Sequence, residues 1–321
     1  MTKLVIAIPS KGRLQEQTLD YLADAGMKLV QSGGARDYTA KLSGTDNVSV
    51  SLLSAAEIAE ELLTGRVHMG VTGEDLLAEN NAESHVRVIE RLGFGRADVV
   101  VAVPRSWIDV STMADLDDVA AAFHARHQRK LRVATKFVTL ARRFFADHGI
   151  ADYRIIESLG ATEGAPAAGT AEVIVDITTT GATLTANELK ILDDGVILRS
   201  EASLAASLRA AWTAPVREAA RSLLDRIGAR VLGKASRIVE LPGESLEAPL
   251  LAELQASGAS VVPAQQVAGS TSLLVPERNV DAVVSLLRAR RPDAVVMLHK
   301  PSQIFAPGNA LYQRLENALA P

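Results

Sequence analysis

Short apolar runs alternate along the chain with segments whose apolar positions recur at helical spacing, the pattern of an α/β protein. Residues 3–8 predict a first strand, and 12–25 a helix with Leu14, Thr18, Tyr21, Leu22 and Ala25 on one face and Gly26 as its stop. Residues 48–53 alternate like a strand, and Ser54 with Glu57 forms a capping box for a helix that runs to Leu63. Further strands are predicted at 67–71 and, fully apolar, at 99–103. Pro104 and residues 105–109 mark a crossing into a second lobe, with strands at 131–134, 154–156 and 173–177 and a helix at 138–148. From 187 to 206 the chain is expected to return to the first lobe. Residues 1–103 with 187–232 then form one α/β lobe and 104–186 the other, with shared crossovers and a cleft between them. Ligands in such folds bind beyond the carboxyl ends of the strands.

A helix over 214–232 leads to a third unit, 236–321. Its predicted elements are strand 236–241, helix 246–257, strand 259–262, strand 271–275, helix 279–290 and strand 293–299. That order is βαββαβ, the ferredoxin-like plan. Residues 302–321 end in a short helix and are expected to act as a docking tail.

Composition narrows the function. The 321 residues are 48% hydrophobic and 22% charged, enough apolar material for a sizeable core without covalent staples. Lysine and arginine total 34 against 38 acidic residues, a net charge of −4, which argues against a general nucleic-acid coat but not against a local cationic pocket. Cysteine is absent, which removes disulfides, thiolate nucleophiles and Cys-zinc sites. The first apolar stretch is too short for a signal segment, and no run approaches the roughly 18 residues of a spanning helix. A soluble, cytoplasmic protein is expected.

One segment concentrates candidate chemistry. The strand at 173–177 delivers Asp176 near its carboxyl end, and Thr178, Thr179, Thr180, Gly181, Ala182 and Thr183 follow directly. Thr185 and Glu188 have capping-box spacing, so a helix is expected to begin just beyond. A strand, a small Gly/Thr turn and a helix N-terminus together make an anion cradle, in which backbone N–H groups and hydroxyls face the ligand. Gly181 allows a phosphate to approach the backbone. The alternative is an ordinary polar turn between strand and helix. A carboxylate just before the turn adds a group that could hold ribose hydroxyls or a metal carried by the same ligand.

The same segment resembles the signature of the ATP phosphoribosyltransferase family at Glu163, Gly169, Ala171, Ile174, Asp176, Thr180, Gly181, Thr183 and Leu184. The likeness extends to residues 9–14 with Lys11 and Arg13, to 71–75 with Gly73, Glu74 and Asp75, to 92–95, and to 133–137 with Lys136 and Phe137. It implies two periplasmic-binding-protein-like lobes, joining of N1 of the ATP adenine to C1 of phosphoribosyl pyrophosphate with release of pyrophosphate, and a need for Mg2+. This is the first step of histidine biosynthesis. The third unit is similar to the regulatory domain of the family's long form, which implies histidine as an allosteric inhibitor and a homo-oligomer, a dimer or a hexamer.

On that resemblance Thr179, Thr180, Gly181, Ala182, Thr183 and Leu184 cradle the 5′-phosphate, and Asp176 faces the ribose hydroxyls. Glu163 is a candidate for the ribose or Mg2+ side, or else a helix-cap carboxylate. Lys11 and Arg13 suit a phosphate, or else are solvated surface cations. Gly73, Glu74, Asp75 and Arg96 are candidates for the nucleotide or Mg2+ side; the two carboxylates could equally serve as helix N-terminal charges. Mg2+ is expected to be held mainly by substrate. Three positions depart from the family pattern: Asp98 where a basic residue is common, Glu172 where Asp is usual, and Phe137 where Tyr is frequent. His124 and His127 have the spacing of half a metal site, with no third ligand evident. The competing readings are a ligand-sensing protein built from the same two lobes, another phosphoribosyl-binding enzyme, and catalytic lobes that depend on a separate regulatory chain.

Overall fold

The computed structural model describes residues 3–31, 39–243, 245–262 and 270–320. The first stretch holds β1 (Leu4–Pro9), α1 (Gly12–Asp24), β2 (Leu29–Gln31), β3 (Thr39–Leu42), β4 (Val48–Leu53), α2 (Ala55–Thr64), β5 (Met69–Gly73), α3 (Glu74–Glu79) and β6 (Val86–Arg91). Next come β7 (Ala97–Pro104), α4 (Met113–His127), β8 (Leu131–Thr135), α5 (Val138–Asp147), β9 (Tyr153–Glu157), β10 (Val173–Thr178) and α6 (Ala182–Ala186). They are followed by β11 (Leu189–Ser200), β12 (Ala202–Ser207), α7 (Ala214–Ala235), β13 (Ser236–Leu241), α8 (Ala248–Ala256) and β14 (Ser260–Val261). The last elements are β15 (Thr271–Pro276), α9 (Val280–Arg290), β16 (Met297–His299) and α10 (Ala310–Leu319).

The first sheet has the order β2-β3-β4-β1-β5-β12-β6. Its centre is parallel, with Ile6 opposite both Val50 and Met69. β1 is an almost unbroken apolar run because both its faces are covered. Leu4, Ile6 and Ile8 pack with Tyr21 and Leu22 of α1 and Leu223 and Leu224 of α7, while Ala7 packs on the other side with Ile58 and Leu62 of α2. The capping box at Ser54 and Glu57 forms as expected, so α2 starts directly at the carboxyl end of β4.

The second sheet has the order β11-β7-β10-β8-β9, with β10 parallel to β8 and antiparallel to β7. Val99, Val101, Val103, Val133, Val173 and Val175 form its main core with Met113 and Leu116 of α4 and Leu140 and Phe145 of α5. Two assignments change here. Residues 97–103 and 189–200 pair with each other as β7 and β11 in this sheet, although the sequence reading puts them with the first. Only β12 returns to the first sheet, between β5 and β6. Apolar alternation identifies a strand but does not say which sheet takes it.

The chain passes between these sheets at two adjacent places. The Leu92 N–H donates to the Ala202 carbonyl at 2.9 Å and the Ala202 N–H to the Phe94 carbonyl at 3.0 Å, so the crossovers at 92–96 and 200–202 lie side by side. Two adjacent crossovers of opposite direction form a hinge between lobes.

After α7 the elements run strand, helix, strand, strand, helix, strand, in a third sheet ordered β14-β15-β13-β16 with every neighbour antiparallel. β16 is shorter than the expected strand over 293–299, covering Met297–His299. The terminal helix docks as expected. Leu311 and Leu315 of α10 are buried in the same core as Leu22, Ile89 and Leu223, and Glu316 pairs with Arg217 at 2.9 Å. Replacing the fully buried Leu315 by Ala should therefore destabilise the whole first lobe by about 2–5 kcal/mol. Urea denaturation would read this, and an unchanged midpoint would detach the tail from the core.

Candidate active site

The short apolar stretch at 173–175 is buried on both faces, and the same strand then emerges: Asp176, Ile177 and Thr178 are half-buried. Alternation puts Ile174, Asp176 and Thr178 on one face. Ile174 packs there with small residues, Ala134, Ala165 and Ala171, and with Leu184. Small side chains leave room, and Asp176 and Thr178 open into a cavity of about 310 Å³. Its wall includes Lys136 from the end of β8, residues 159–163, and Thr183 and Leu184 beyond the turn.

Burial pushes the Asp176 carboxyl above its ordinary value; the Ile177 N–H, donating to its Oδ1 at 2.8 Å, and the Lys136 charge pull the other way, while Glu163 adds to the rise. Glu163 sits half-buried in a one-turn helix at Thr162–Gly164 on the same wall. Thr162 anchors that turn, buried and donating to the Ser158 hydroxyl at 3.1 Å. The two signature carboxylates thus converge on one cavity.

The turn after β10 differs from the expected one. No helix begins at Thr185: α6 is a five-residue helix starting at Ala182, and Glu188, at φ +56°, closes it before β11. The local reason is Gly181, whose φ of +73° turns the chain into α6 four residues earlier than the capping-box spacing implies. The Thr178 hydroxyl accepts from the Gly181 N–H at 2.9 Å and the Thr180 hydroxyl from the Ala182 N–H at 3.4 Å. The turn leaves the Thr179, Thr180 and Thr183 side chains exposed, and so short a helix carries little dipole. Leu184 is buried in the alanine-lined core and acts as the anchor of the turn.

Glu172, four residues before Asp176, is the counterexample. Burial opposes its charge, but the Arg132 side chain, the Arg132 N–H and Arg129 outweigh that and bring its pKa down to about 2. Arg132 reaches it at 2.6 Å and also donates to the Gly169 carbonyl at 2.8 Å, which ties the loop before β10 to β8. Sequence reasoning marks Glu172 only as a departure from a family pattern.

The remaining candidates lie elsewhere. Lys11 and Arg13 are exposed where β1 turns into α1, beside the carboxyl ends of β4 and β5. Neither lines the Asp176 cavity. Glu74 and Asp75 begin α3 and are engaged by the hinge. Arg91 donates to Glu74 at 2.7 and 2.9 Å and Ser203 at 2.7 Å. Burial opposes the Glu74 charge, yet these donors hold its carboxyl below the usual range. The buried Asp75 accepts from the Ser200 hydroxyl at 2.7 Å, and that hydroxyl accepts from the Asp75 N–H at 3.0 Å. A Cβ at Gly73 would meet the Asp75 carboxylate and force it to shift from its Ser200 partner. Arg96 is exposed and lies 3.7 Å from Glu201. His124 pairs with Asp152 at 2.9 Å and His127 stacks on Phe123, so the histidine pair does not converge on a shared site.

The family model described as HisG: ATP phosphoribosyltransferase matches residues 54–229. Curated ATP phosphoribosyltransferases from Nitrobacter winogradskyi and Bradyrhizobium diazoefficiens are 51% and 52% identical to this chain, covering 98% and 97% of it and the same shares of their own lengths. The chain belongs to the ATP phosphoribosyltransferase family. Among solved structures, the ATP phosphoribosyl transferase (HisG:HisZ) complex from Thermotoga maritima aligns at a TM-score of 0.53 and 26% identity, over 70% of this chain and 95% of that one.

Within the family signature, then, the structure brings Glu163, Asp176, Thr183 and Leu184 to one cavity and adds Lys136 and Thr178, which sequence reasoning left without individual roles. The signal for Lys136 was its place in the family-like stretch 133–137; nothing in its spacing pointed toward Asp176. The Glu172 clamp makes a separate prediction. Its folded pKa lies below its ordinary 4.5, so the stability it contributes is present above about pH 4.5 and lost as pH falls toward about 2. Glu172→Gln should therefore unfold more easily than wild type at pH 7, with the difference shrinking across that window. Thermal melts at pH 7, 4 and 2.5 check it, and a pH-independent difference would refute the ionic origin.

Proposed function

We propose that this chain joins N1 of the ATP adenine to C1 of phosphoribosyl pyrophosphate, releasing pyrophosphate, as the first step of histidine biosynthesis, and that the phosphoribosyl group sits in the Asp176 cavity. The observation that carries the site is a half-buried carboxylate opening, with Thr178 and Thr183 at the two ends of a Thr/Gly turn, into a cavity of about 310 Å³ inside the family signature. The bond from C1 to the pyrophosphate oxygen breaks as the bond to N1 forms. Positive charge then builds on the ribose ring and negative charge on the leaving group, so the demand on the protein is positioning and electrostatics. Adenine N1 is unprotonated at neutral pH, and no general base is needed.

Asp176 faces the ribose hydroxyls, whose O–H groups supply the donors that burial denies it. The turn from Thr179 to Thr183 takes the 5′-phosphate on N–H and hydroxyl groups. Mg2+ suits the site as a substrate-borne ion. Among the described residues no three His, Asp or Glu side chains group as a metal cage, while Glu163 and Asp176 offer the one or two carboxylates typical of an ion that keeps its phosphate ligands. When bound it would neutralise the pyrophosphate. Lys11 and Arg13, exposed just beyond the carboxyl end of β1, are assigned to a phosphate of ATP or to the pyrophosphate. Glu74, Asp75 and Arg96 are better read as hinge residues than as Mg2+ or nucleotide ligands, since their charges already have protein partners.

Residues 236–321 are assigned to regulation, with histidine as allosteric inhibitor, and the chain to a homo-oligomer, dimer or hexamer; the likeness of the third unit to the family's long form supports both. The enzyme works in the cytoplasm and needs neither membrane nor nucleic acid. No described helix is long and apolar enough to cross a membrane.

The direct test mixes purified protein, Mg2+, ATP and phosphoribosyl pyrophosphate with pyrophosphatase, and follows N1-modified adenine by ultraviolet absorbance, with and without histidine. Product that needs both substrates is expected; binding of phosphoribosyl pyrophosphate without product would make the acceptor wrong. Histidine inhibition is best read on the full chain, because truncation at 236 would also remove α10 from the core. Two variants locate the site. Gly181→Val forces a β-branched residue to a positive φ with no crowding around the new Cβ, and should cut turnover by about 10²-fold or more. Asp176→Asn should lose turnover yet melt no lower than wild type at pH 7, because it removes a charge whose burial raises its pKa above the ordinary 3.8. Any gain fades below that pH, where Asp176 is protonated in both states. Wild-type rates in both variants would move the site elsewhere.

A further inference from the structure

The Asp176 cavity has a charge imbalance. Its wall carries two carboxylates, Asp176 and Glu163, and a single cation among the described residues, Lys136. A phosphoribosyl substrate brings several more negative charges into the same space. The carboxylates suit ribose hydroxyls and a substrate-borne cation, but they repel phosphate.

Lys136 is placed by the fold. It follows β8, whose Thr135 lies opposite Val175 of β10 in parallel register. Thr135 and Phe137 on either side of it are buried, and the Thr135 hydroxyl accepts from the Phe137 N–H at 2.8 Å, which fixes the turn. Between these two buried neighbours the Lys136 side chain is left exposed at the cavity wall, with Nζ 4.9 Å from the centre of the Phe137 ring. Nearby cations are committed otherwise: Arg132 and Arg129 both bind Glu172. Lys136 makes no ion pair within 4 Å among the described residues. An anchored backbone, an ammonium group with no ion pair of its own among the described residues and a cavity short of positive charge coincide at one residue.

We infer that Lys136 binds a phosphate group of phosphoribosyl pyrophosphate directly, supplying the positive charge that the Thr/Gly turn and the two carboxylates lack. This rests on the proposed reading of the cavity. A lysine ammonium is a compact point charge on a flexible stem, suited to a phosphate that arrives with its own cation and must leave again. The interaction holds the substrate in the ground state and the transition state alike, so its loss raises KM more than it lowers kcat.

The test uses the full chain with Mg2+ and saturating ATP. Lys136→Gln is expected to raise KM for phosphoribosyl pyrophosphate by about tenfold or more, the scale of one charge-assisted hydrogen bond, with KM for ATP within about twofold of wild type. Lys136→Arg should recover part of the loss, and added KCl should weaken substrate binding more steeply in wild type than in Lys136→Gln. Equilibrium titration with ribose 5-phosphate and with inorganic pyrophosphate then assigns the group, since the ligand carrying the contacted phosphate loses affinity in the variant. Unchanged KM for phosphoribosyl pyrophosphate in Lys136→Gln, with both titrations also unchanged, overturns the inference. A wild-type protein that neither turns over nor binds these ligands instead overturns the reading of the cavity itself.

Discussion

A half-buried carboxylate with few protein donors, at the end of a strand, is the constraint around which the second lobe is arranged. Asp176 has the Ile177 N–H as its close donor, and burial pushes its carboxyl up. Four residues earlier on the same stretch, Glu172 is surrounded by Arg132 and Arg129 and drawn down to about 2. The two acids show what separates a structural charge from one kept for a ligand. The first has its partners built in, and its satisfaction locks the Gly169 loop to β8. The second is left short of donors, a cost in stability that, on the reading proposed above, the ribose hydroxyls offset. That strain is sustainable because Val173, Ile174 and Val175 just before it are buried in two cores at once.

The hinge follows from a similar allocation of charge. Glu74 and Asp75 sit at the carboxyl end of a parallel strand, the place where ligands are expected in such sheets. Both carboxylates instead bind Arg91, Ser203 and Ser200, which belong to the strands entering and leaving the crossovers. α3 then carries the restraint across the cleft: the Glu79 carboxylate accepts from the Thr139 and Leu140 N–H groups at 2.9 and 3.0 Å, capping α5 from the other lobe. Phe137, at the N-cap position of α5, offers no side-chain cap of its own. The second lobe's helix is thus completed by a residue of the first, and the cavity wall at Lys136 is coupled to the hinge through the first turn of α5.

Most elements were legible in the sequence because their signals are local. The apolar runs of β1, β7 and β10, the capping box of α2 and the glycine stop of α1 each depend on residues a few positions apart. Partner choice was less legible: β11 pairs with β7 rather than with the first sheet, since alternation along a strand carries no information about its neighbour. The helix expected at Thr185 failed for a different reason. A capping-box pattern competes with any earlier residue that turns the chain, and Gly181 at φ +73° does so first. Of the site, Asp176 and the Thr/Gly turn were visible as a motif. Lys136 was not individually visible, because its closeness to Asp176 arises from the register of β8 against β10 rather than from spacing along the chain.

The terminal region makes the chain's ends interdependent. α7 runs directly into β13, with Ala235 closing the helix and Ser236 opening the strand. Along its length Val216, Leu223, Leu224 and Ile227 are part of the first sheet's core, and α10 returns from beyond the third sheet to complete that core with Leu311 and Leu315. Arg314 ties the same helix to β6, donating to the Ile89 carbonyl and pairing with Glu90. β6 is the strand that leads into the crossover at 92–96. The third sheet is therefore bracketed by two helices seated on the first lobe, one of them fastened one strand away from the hinge. A displacement of that sheet would have to strain α7, α10 or both, so its position is mechanically tied to the lobe whose crossovers set the width of the cleft.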